Sequence, residues 1–130
     1  MPSIFSKIIK GEIPCYKVAE DENCLAFLDI FPLAKGHTLV IPKKEIDYLF
    51  DIDEELYRNL WSFSKKVASA IEKAVPCKRI GVAVLGLEVP HAHIHLIPIN
   101  HISDINFSRQ KLNLPKEEME DIARKIRAYI

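Results

Sequence analysis

The sequence lacks an excess of charge of either sign, because 18 lysine and arginine residues balance 18 aspartate and glutamate residues. This balance excludes a general electrostatic attraction to nucleic acid or to an anionic membrane surface. No apolar run approaches the roughly 20 residues that a membrane-spanning helix needs. The opening residues, Met1 to Phe5, lack the charged and apolar regions of a signal peptide. We therefore expect a cytoplasmic protein that binds neither nucleic acid nor a membrane.

Cysteine is also scarce, and no Cys-x-x-Cys motif is present. Cys15, Cys24 and Cys77 are odd in number and scattered along the chain, which favours reduced thiols over a disulfide framework. The sequence has no internal repeats or low-complexity segments, and 130 residues suit one domain with one core. We predict that residues 1–130 form a single domain.

Turn residues and apolar periodicity divide the chain into five strands and three helices. Ser3 is predicted to cap a short helix that runs through Lys10, with Gly11 at the C′ position that follows it. Asp51-Ile-Asp-Glu54 resembles a capping box and precedes a long amphipathic helix that stops before Pro76. Pro115 is predicted to start a charged helix with an apolar stripe formed by Met119, Ile122, Ile126 and Ile130. The strands are predicted over residues 15–20, 24–29, 37–42, 79–85 and 91–98.

Hairpin-length links between these strands predict an α+β domain, in which a five-stranded antiparallel sheet packs against one long helix. The first two strands are expected to form a hairpin through the turn residues 21–23. The strand over 79–85 is apolar enough to be placed at the centre of a sheet.

Three of the five histidines stand at alternate positions in the segment His-Ala-His-Ile-His-Leu-Ile-Pro, residues 91–98. Side chains alternate between the two faces of a strand, so His91, His93 and His95 are expected to line one face. The apolar residues between them would then face a core. Three imidazoles in register indicate anion binding, metal binding or nucleophilic chemistry near neutral pH.

The residues alone leave four interpretations of this face open. The histidines could form an ordinary polar sheet face, or they could bind zinc together with His37 from a neighbouring strand. A neutral histidine could instead attack phosphorus directly while its neighbours hold phosphate oxygens. The same residues could also bind a nucleotide without catalysing a reaction.

The pattern His-x-His-x-His with apolar x positions resembles the signature of the histidine-triad (HIT) family of nucleotide hydrolases and transferases. Residues 3–14, 25–30 and 37–44 are similar to further segments of that family. The resemblance runs from Ser3 to Pro98, so residues 102–130 form a C-terminal extension outside it. It implies a HIT-like fold and, within the family, the small bacterial and Hint-like dimers.

The resemblance implies a role for each matching histidine. His93 corresponds to the nucleophile that attacks the α-phosphorus and forms a nucleotidyl-histidine intermediate. His95 corresponds to the histidine that contacts the phosphate and assists proton transfer. His91 corresponds to the first histidine, which supports the site, and His37 to a histidine that packs against it.

The resemblance also implies how a nucleoside would be bound. Asp29 corresponds to the carboxylate that accepts hydrogen bonds from both ribose hydroxyls, which suits its acceptor-only oxygens. Phe27 and Ile30 correspond to apolar positions that line the base pocket.

Two departures from the family pattern bear on the chemistry. Many bacterial members begin with Cys-x-x-Cys, which joins histidines in a structural zinc site. Ser3 and Ser6 stand at those positions here, and hydroxyls are poor zinc ligands, so we expect no metal and hydrogen bonds at His37 and His91. Leu87 replaces a glutamine that offers a hydrogen bond to phosphate, and one such lost donor can cost about 10²–10³ in rate.

The resemblance therefore implies a nucleotide hydrolase or phosphoramidase that acts without a cofactor on a purine nucleotide conjugate, such as an AMP conjugate. The alternative is a nucleotide-binding or interaction protein that has lost useful turnover. Leu87 favours this alternative, whereas the intact triad favours the enzyme. Strand 79–85 is apolar on both faces and is expected to pair with a second copy, which predicts a homodimer.

Overall fold

The computed structural model describes the whole chain from Met1 to Ile130. Five strands form one antiparallel sheet in the order β1-β2-β3-β5-β4. The strands are β1 (Lys17–Glu20), β2 (Cys24–Leu28), β3 (Thr38–Pro42), β4 (Arg79–Ala83) and β5 (Ile94–Ile99). The helices are α1 (Ile4–Ile9), α2 (Glu54–Ala74) and α3 (Lys116–Arg127), with short 3₁₀ turns at Leu49–Asp51 and Ile102–Ile105. The predicted α+β fold, with one five-stranded antiparallel sheet and one long helix, is confirmed.

The two faces of the sheet bury different side chains. Ala26 and Leu28 of β2, Val40 of β3 and alternate residues of β5 pack with α2 and α3 in the main core. The opposite face carries a smaller apolar cluster formed by Phe5, Leu25, Phe27, Leu39 and Ile41. This division follows from the period of two along each strand, which sends neighbouring residues to opposite faces. The smaller cluster lies on the histidine side of the sheet, since Phe27 pairs with Leu39 and Leu39 pairs with His95.

Capping fixes where the first two helices begin. Ser3 caps α1 as predicted, because its side chain accepts a hydrogen bond from the Ser6 backbone N–H at 3.0 Å. The predicted start of α2 is wrong by two residues: Asp53, rather than Asp51, is the N-cap and accepts from the Leu56 N–H. Asp51 belongs to the preceding 3₁₀ turn, where its N–H donates to the Tyr48 carbonyl.

Two strand predictions need correction. β4 is an edge strand rather than a central one, and Val82 on it is 49% exposed. An apolar run does not reveal whether a strand has one neighbour or two. The histidine strand begins only at Ile94, because the His91 and Ala92 N–H groups donate to the carbonyls of Val89 and Ile46, outside the sheet ladder.

The apolar stripe of α3 is confirmed for Met119, Ile122 and Ile126, which are buried against the main core. Ile130 is exposed and lies beyond the helix end, so its predicted place in the stripe is wrong. No helix in the protein is both long enough and apolar enough to cross a bilayer.

Candidate active site

The three histidines of the 91–98 segment converge on the side of the sheet that carries α1. His95 lies in β5, paired with Leu39 of β3, while His91 and His93 lie in the turn that leads into β5. All three are buried, at 0%, 7% and 7% exposure in chain order. The rings of His93 and His95 are 5.0 Å apart between centroids. Buried imidazoles need hydrogen-bond partners, and these partners determine where each ring carries its proton.

His91 is held between the N-terminal helix and the end of β3. Its Nε2 lies 2.8 Å from the Pro42 carbonyl oxygen, which can only accept, so Nε2 carries the proton. Its Nδ1 lies 2.8 Å from the Ser3 hydroxyl and accepts the hydroxyl proton when the ring is neutral. Burial lowers the pKa of His91, which keeps the ring neutral near pH 7.

His93 has the opposite tautomer. Its Nδ1 lies 2.8 Å from the backbone carbonyl oxygen of His91 and must therefore donate to it. In the neutral ring Nε2 then has no proton and carries a free lone pair. The edge of the Phe5 ring packs against His93 at 5.0 Å between centroids, which limits the orientations of the imidazole.

His95 takes its tautomer from His37. The Leu33 backbone N–H donates to His37 Nδ1 at 3.0 Å, so neutral His37 carries its proton on Nε2. That nitrogen lies 3.0 Å from His95 Nδ1 and donates to it, which leaves the proton of His95 on Nε2. Burial, reinforced by positively charged neighbours, lowers the pKa of His37 to about 3 and the pKa of His95 to about 4. His37 therefore forms hydrogen bonds through both ring nitrogens, and its ring packs against His95.

Asp29 follows the last residue of β2 and lies beside His37. Its Oδ1 accepts a hydrogen bond from the Phe31 N–H at 2.9 Å, and its Oδ2 lies 3.7 Å from His37 Nε2. Because His37 is neutral and donates to His95, this contact is not an ion pair near pH 7. Burial raises the pKa of Asp29, although the Phe31 hydrogen bond and nearby positive charge oppose the rise.

Asp29, His37 and His95 also place three potential metal-ligand atoms within 4.8 Å of one another. However, His37 Nε2 and His95 Nδ1 point at each other through their hydrogen bond. A metal ion would have to break that bond and displace the His37 proton. The ring nitrogens that a metal would need are therefore already paired with each other in a hydrogen bond.

The structure separates the two residues assigned to the base pocket. Phe27 is buried on the histidine face, where its ring packs against Phe5 at 5.6 Å between centroids. Ile30 is 57% exposed and lines a cavity of about 1080 Å³ between the loop before β1 and α3. This cavity does not include any of the triad histidines. Leu87 is 90% exposed, in the bend before His91.

Sequence reasoning missed the C-terminal side of the site. The segment 106–112 returns to the histidines, and the Phe107 ring packs edge-on against His95 at 4.8 Å between centroids. Two hydrogen bonds fasten the segment to the loop after β2: Arg109 Nη2 donates to the Leu33 carbonyl at 2.8 Å, and the Leu112 N–H donates to the Pro32 carbonyl at 2.8 Å. The one signal in the sequence was an isolated aromatic residue in a polar stretch.

The same segment brings a cation to the site. Lys111 Nζ donates to the Phe107 carbonyl at 3.1 Å, and its charge contributes to the lowered pKa of His37 and of His95. On the other side of the site, Glu45 was also missed. Its carboxylate accepts hydrogen bonds from the Ser3 N–H and the Ser6 hydroxyl.

Known proteins of one family resemble this chain in sequence and in fold. The sequence profile of the HIT domain matches residues 10–102. A HIT-like protein of Borreliella burgdorferi is 38% identical over 131 aligned residues, covering 95% of this chain and 94% of that protein. The adenosine 5'-monophosphoramidase hnt1 of Schizosaccharomyces pombe is 42% identical, covering 75% of this chain and 74% of its own.

Among solved structures, the zinc-bound histidine triad family protein from Mycobacterium smegmatis superimposes with a TM-score of 0.82 at 30% identity, covering 97% of this chain and 91% of that one. The arrangement of the histidines, the sheet topology and the sequence similarity lead to one conclusion. The chain belongs to the histidine-triad (HIT) family.

Proposed function

We propose that the protein is a nucleotide phosphoramidase or hydrolase that cleaves a purine nucleotide conjugate at the α-phosphate through a nucleotidyl-histidine intermediate. The observation that carries this proposal is the hydrogen bond from His93 Nδ1 to the His91 carbonyl. It keeps the lone pair of His93 on Nε2, the state that a nucleophilic imidazole requires. The similarity to a protein named as an adenosine 5'-monophosphoramidase supports the same chemistry.

In the proposed reaction His93 Nε2 forms a bond to the α-phosphorus, and the bond from phosphorus to the leaving group breaks. The leaving group departs with one proton. A water molecule then cleaves the phosphorus–nitrogen bond, which releases the nucleoside monophosphate and returns His93 to its neutral form. Over both steps one water is consumed: its hydroxyl goes to phosphorus, and its proton balances the one taken by the leaving group.

His95 is proposed to stabilise the phosphoryl group during both steps. Its proton is on Nε2 because its Nδ1 accepts from His37. With a pKa of about 4, the ring is a neutral donor near pH 7. A fixed donor aimed at developing negative charge in a buried site stabilises the transition state more than it would in water. Because the His95 ring is neutral, its burial does not carry the desolvation cost of a buried imidazolium cation.

At the nucleoside end, Asp29 is proposed to bind the ribose. Its Oδ1 is fixed by the Phe31 N–H, and its Oδ2 lies near a histidine that donates elsewhere. Two acceptor oxygens suit the two hydroxyl donors of a ribose. Phe27 and Ile30 are proposed to lie at opposite ends of the base pocket, one buried beneath Phe5 and one exposed.

The alternative is a nucleotide-binding protein with little turnover. Leu87 favours it, because a fully apolar side chain that is 90% exposed supplies no hydrogen bond to a phosphate. The triad geometry favours the enzyme, because binding alone does not require His91 to fix the tautomer of His93.

The deciding experiment is incubation with an adenosine phosphoramidate, followed by measurement of AMP release. A substrate labelled at the α-phosphate should transfer its label to the protein, and the bond should survive alkali and break in acid, as expected for phosphohistidine. Wild-type protein that binds AMP but releases none from the phosphoramidate would establish the binding alternative. If wild type and His93→Ala both turn over the substrate and neither traps the label, direct attack by water is favoured.

We further propose that the protein is a cytoplasmic homodimer. β4 is a free edge of the sheet, and Val82 within it and Leu85 just after it are 49% and 52% exposed. Exposed apolar edge strands pair readily with a second copy, and a two-fold axis would make β4 central in a ten-stranded sheet. The three free cysteines suit a reducing compartment. Light scattering at micromolar concentration should give about twice the 14.9 kDa chain mass, and a monomer mass would contradict the dimer.

A further inference from the structure

A hydrogen-bonded cluster joins the N-terminal helix to the histidine segment. Its members are Ser3, Ser6, Glu45 and His91. Glu45 Oε1 accepts from the Ser3 N–H at 2.6 Å and from the Ser6 hydroxyl at 2.6 Å. Ser3 Oγ accepts from the Ser6 N–H at 3.0 Å and lies 2.8 Å from His91 Nδ1. Ser3 and His91 are both buried, at 5% and 0% exposure.

The cluster has one consistent proton arrangement when His91 is neutral. His91 Nε2 must donate to the Pro42 carbonyl, so Nδ1 must accept. The Ser3 hydroxyl has a single proton to donate, and one of its two lone pairs accepts from the Ser6 N–H. That proton therefore goes to His91 Nδ1. The hydrogen bonds that Glu45 accepts hold its pKa at about 2, so it stays ionised and keeps the Ser3 backbone in place.

The position of His91 determines where the hydrogen-bond acceptor of the proposed nucleophile, His93, lies. The carbonyl oxygen of the same residue accepts from His93 Nδ1 at 2.8 Å. Phe5 precedes Ser6 in α1, and its ring packs against the rings of His91 and His93, with centroid distances of 5.8 Å and 5.0 Å. A shift of α1 would therefore move the acceptor that fixes the His93 tautomer and the ring that packs against it.

The donor set of this cluster does not fit a zinc ion. The family pattern implies metal at the positions of Ser3 and Ser6, but neutral hydroxyls are poor zinc ligands. Both hydroxyl protons are donated within the cluster, and the one ring nitrogen of His91 that a metal could take is occupied by Ser3. A zinc-bound histidine triad family protein shares the fold, so the fold is compatible with zinc, whereas the side chains of this cluster are held by hydrogen bonds.

We propose that Ser3 and Glu45 are positioning residues for the reaction: they hold α1 against His91 without metal, and through His91 they fix the tautomer and orientation of His93. This inference rests on the proposed function for its kinetic consequence. Its structural consequence, a defined tautomer at His91 and His93, does not depend on any activity.

The kinetic test compares Ser3→Ala with Ser64→Ala. Ser64 is a matched control, because it is 3% exposed and donates its hydroxyl to the Leu60 carbonyl within α2, on the other side of the sheet. We expect Ser3→Ala to lower kcat for an adenosine phosphoramidate by about 10- to 100-fold, as for a misplaced reacting group. Its KM and its affinity for AMP should change by less than about twofold. Ser64→Ala should lower stability alone.

A graded series separates the hydrogen bonds from the charge. Ser3→Thr keeps the hydroxyl and should restore most of the lost kcat. Glu45→Gln keeps an acceptor oxygen for Ser3 and Ser6 and should be milder than Glu45→Ala. Ser6→Ala removes only the exposed bond to Glu45 and should be the mildest of the alanine variants. Chelator should leave kcat of the wild type unchanged.

The spectroscopic test uses ¹⁵N chemical shifts of the histidine rings. Wild-type protein should show His91 protonated on Nε2 and His93 protonated on Nδ1. In Ser3→Ala the Pro42 carbonyl still holds the His91 proton on Nε2, but Nδ1 loses its donor, so the Nδ1 chemical shift of His91 should change and His93 should lose its single tautomer as α1 moves. Unchanged ring signals, or a kcat for Ser3→Ala equal to that of Ser64→Ala, would overturn the proposal. If the wild type has no turnover, the proposed function fails, and the ring signals alone still decide whether Ser3 positions His93.

Discussion

The two faces of the sheet are built from the same strands, but their side chains are held in place by different forces. Toward α2 and α3, strand residues such as Val40 and Ile94 are fully buried in a large apolar core. Toward α1, the buried residues include four histidines whose positions depend on directed hydrogen bonds. Apolar packing is tolerant of direction, whereas an imidazole held by two partners has one orientation and one tautomer. One face of the sheet therefore supplies stability, and the other holds its histidines in a defined chemical state.

The largest effect should come from removing the proposed nucleophile on the histidine face. His93→Ala should lower turnover by roughly 10⁴-fold or more, because no other group offers a free lone pair in the same place. AMP binding, measured by calorimetry, should be largely unchanged, since Asp29 and the base pocket remain. Near wild-type turnover in this variant would show that the nucleophile is misassigned.

The matching change on the core face should affect stability and spare chemistry. Ile71 of α2 is fully buried in the main core. Ile71→Ala should reduce the free energy of unfolding by about 2–5 kcal/mol, measured by urea denaturation. The kcat of the folded protein should stay near the wild-type value, and a large fall in kcat without loss of stability would break the distinction between the faces.

Lowering the pH should reduce the free energy of unfolding through the buried histidines. Burial lowers the pKa of His37 to about 3 and of His95 to about 4. Below the ordinary histidine pKa of about 6.5, the unfolded chain therefore binds protons at these histidines that the folded protein does not bind. Each such group supports stability above pH 6.5 and loses that support as the pH falls toward its folded pKa, by up to about 1.4 kcal/mol per pH unit.

This pH dependence is measured as the urea midpoint between pH 7 and pH 4.5. His37→Gln should flatten the slope, because it removes one of the two groups with a strongly lowered pKa. An equal slope in the variant and the wild type would mean that other groups dominate the acid sensitivity.

Asp29→Ala should weaken AMP binding by about 1.5–3 kcal/mol, as expected for lost hydrogen bonds to a charged group. Turnover at saturating substrate should fall much less than it does in His93→Ala. Calorimetry with AMP and with 2',3'-dideoxy-AMP separates the ribose contact from general effects, because the variant should bind both equally. A wild-type preference that survives in the variant would place the ribose elsewhere.

The smallest effect should come from Lys111, which reaches the site from the C-terminal segment. Its side chain is exposed, so its charge is screened by salt. Lys111→Gln should weaken AMP binding by about 1 kcal/mol or less at low ionic strength and hardly at all at high salt. Lys66→Gln, at an exposed position of α2, serves as the control for loss of one positive charge. Equal effects of the two variants would remove Lys111 from the site.

Local sequence signals predicted the elements well and their partners poorly. The period of α2 and the cap at Ser3 are local features, so the helices were predictable. The cap residue also bonds to His91, 88 positions away, and nothing local indicates that contact. The same holds for β4, whose apolar sequence predicted a central strand although it lies at the edge of the sheet. Phe107 and Lys111 could not be predicted for the same reason, because they matter only through the tertiary contact of their segment with the histidines.

By itself the sequence determined that alternate histidines would share one side of the sheet and that apolar residues between them would face a core. Period-two alternation is a property of the backbone and needs no partner. Only the tertiary structure decided which nitrogen of each ring carries the proton. A tautomer depends on the group that meets each nitrogen, and those groups come from elsewhere in the chain: Ser3 and Pro42 for His91, and His37, held by Leu33, for His95.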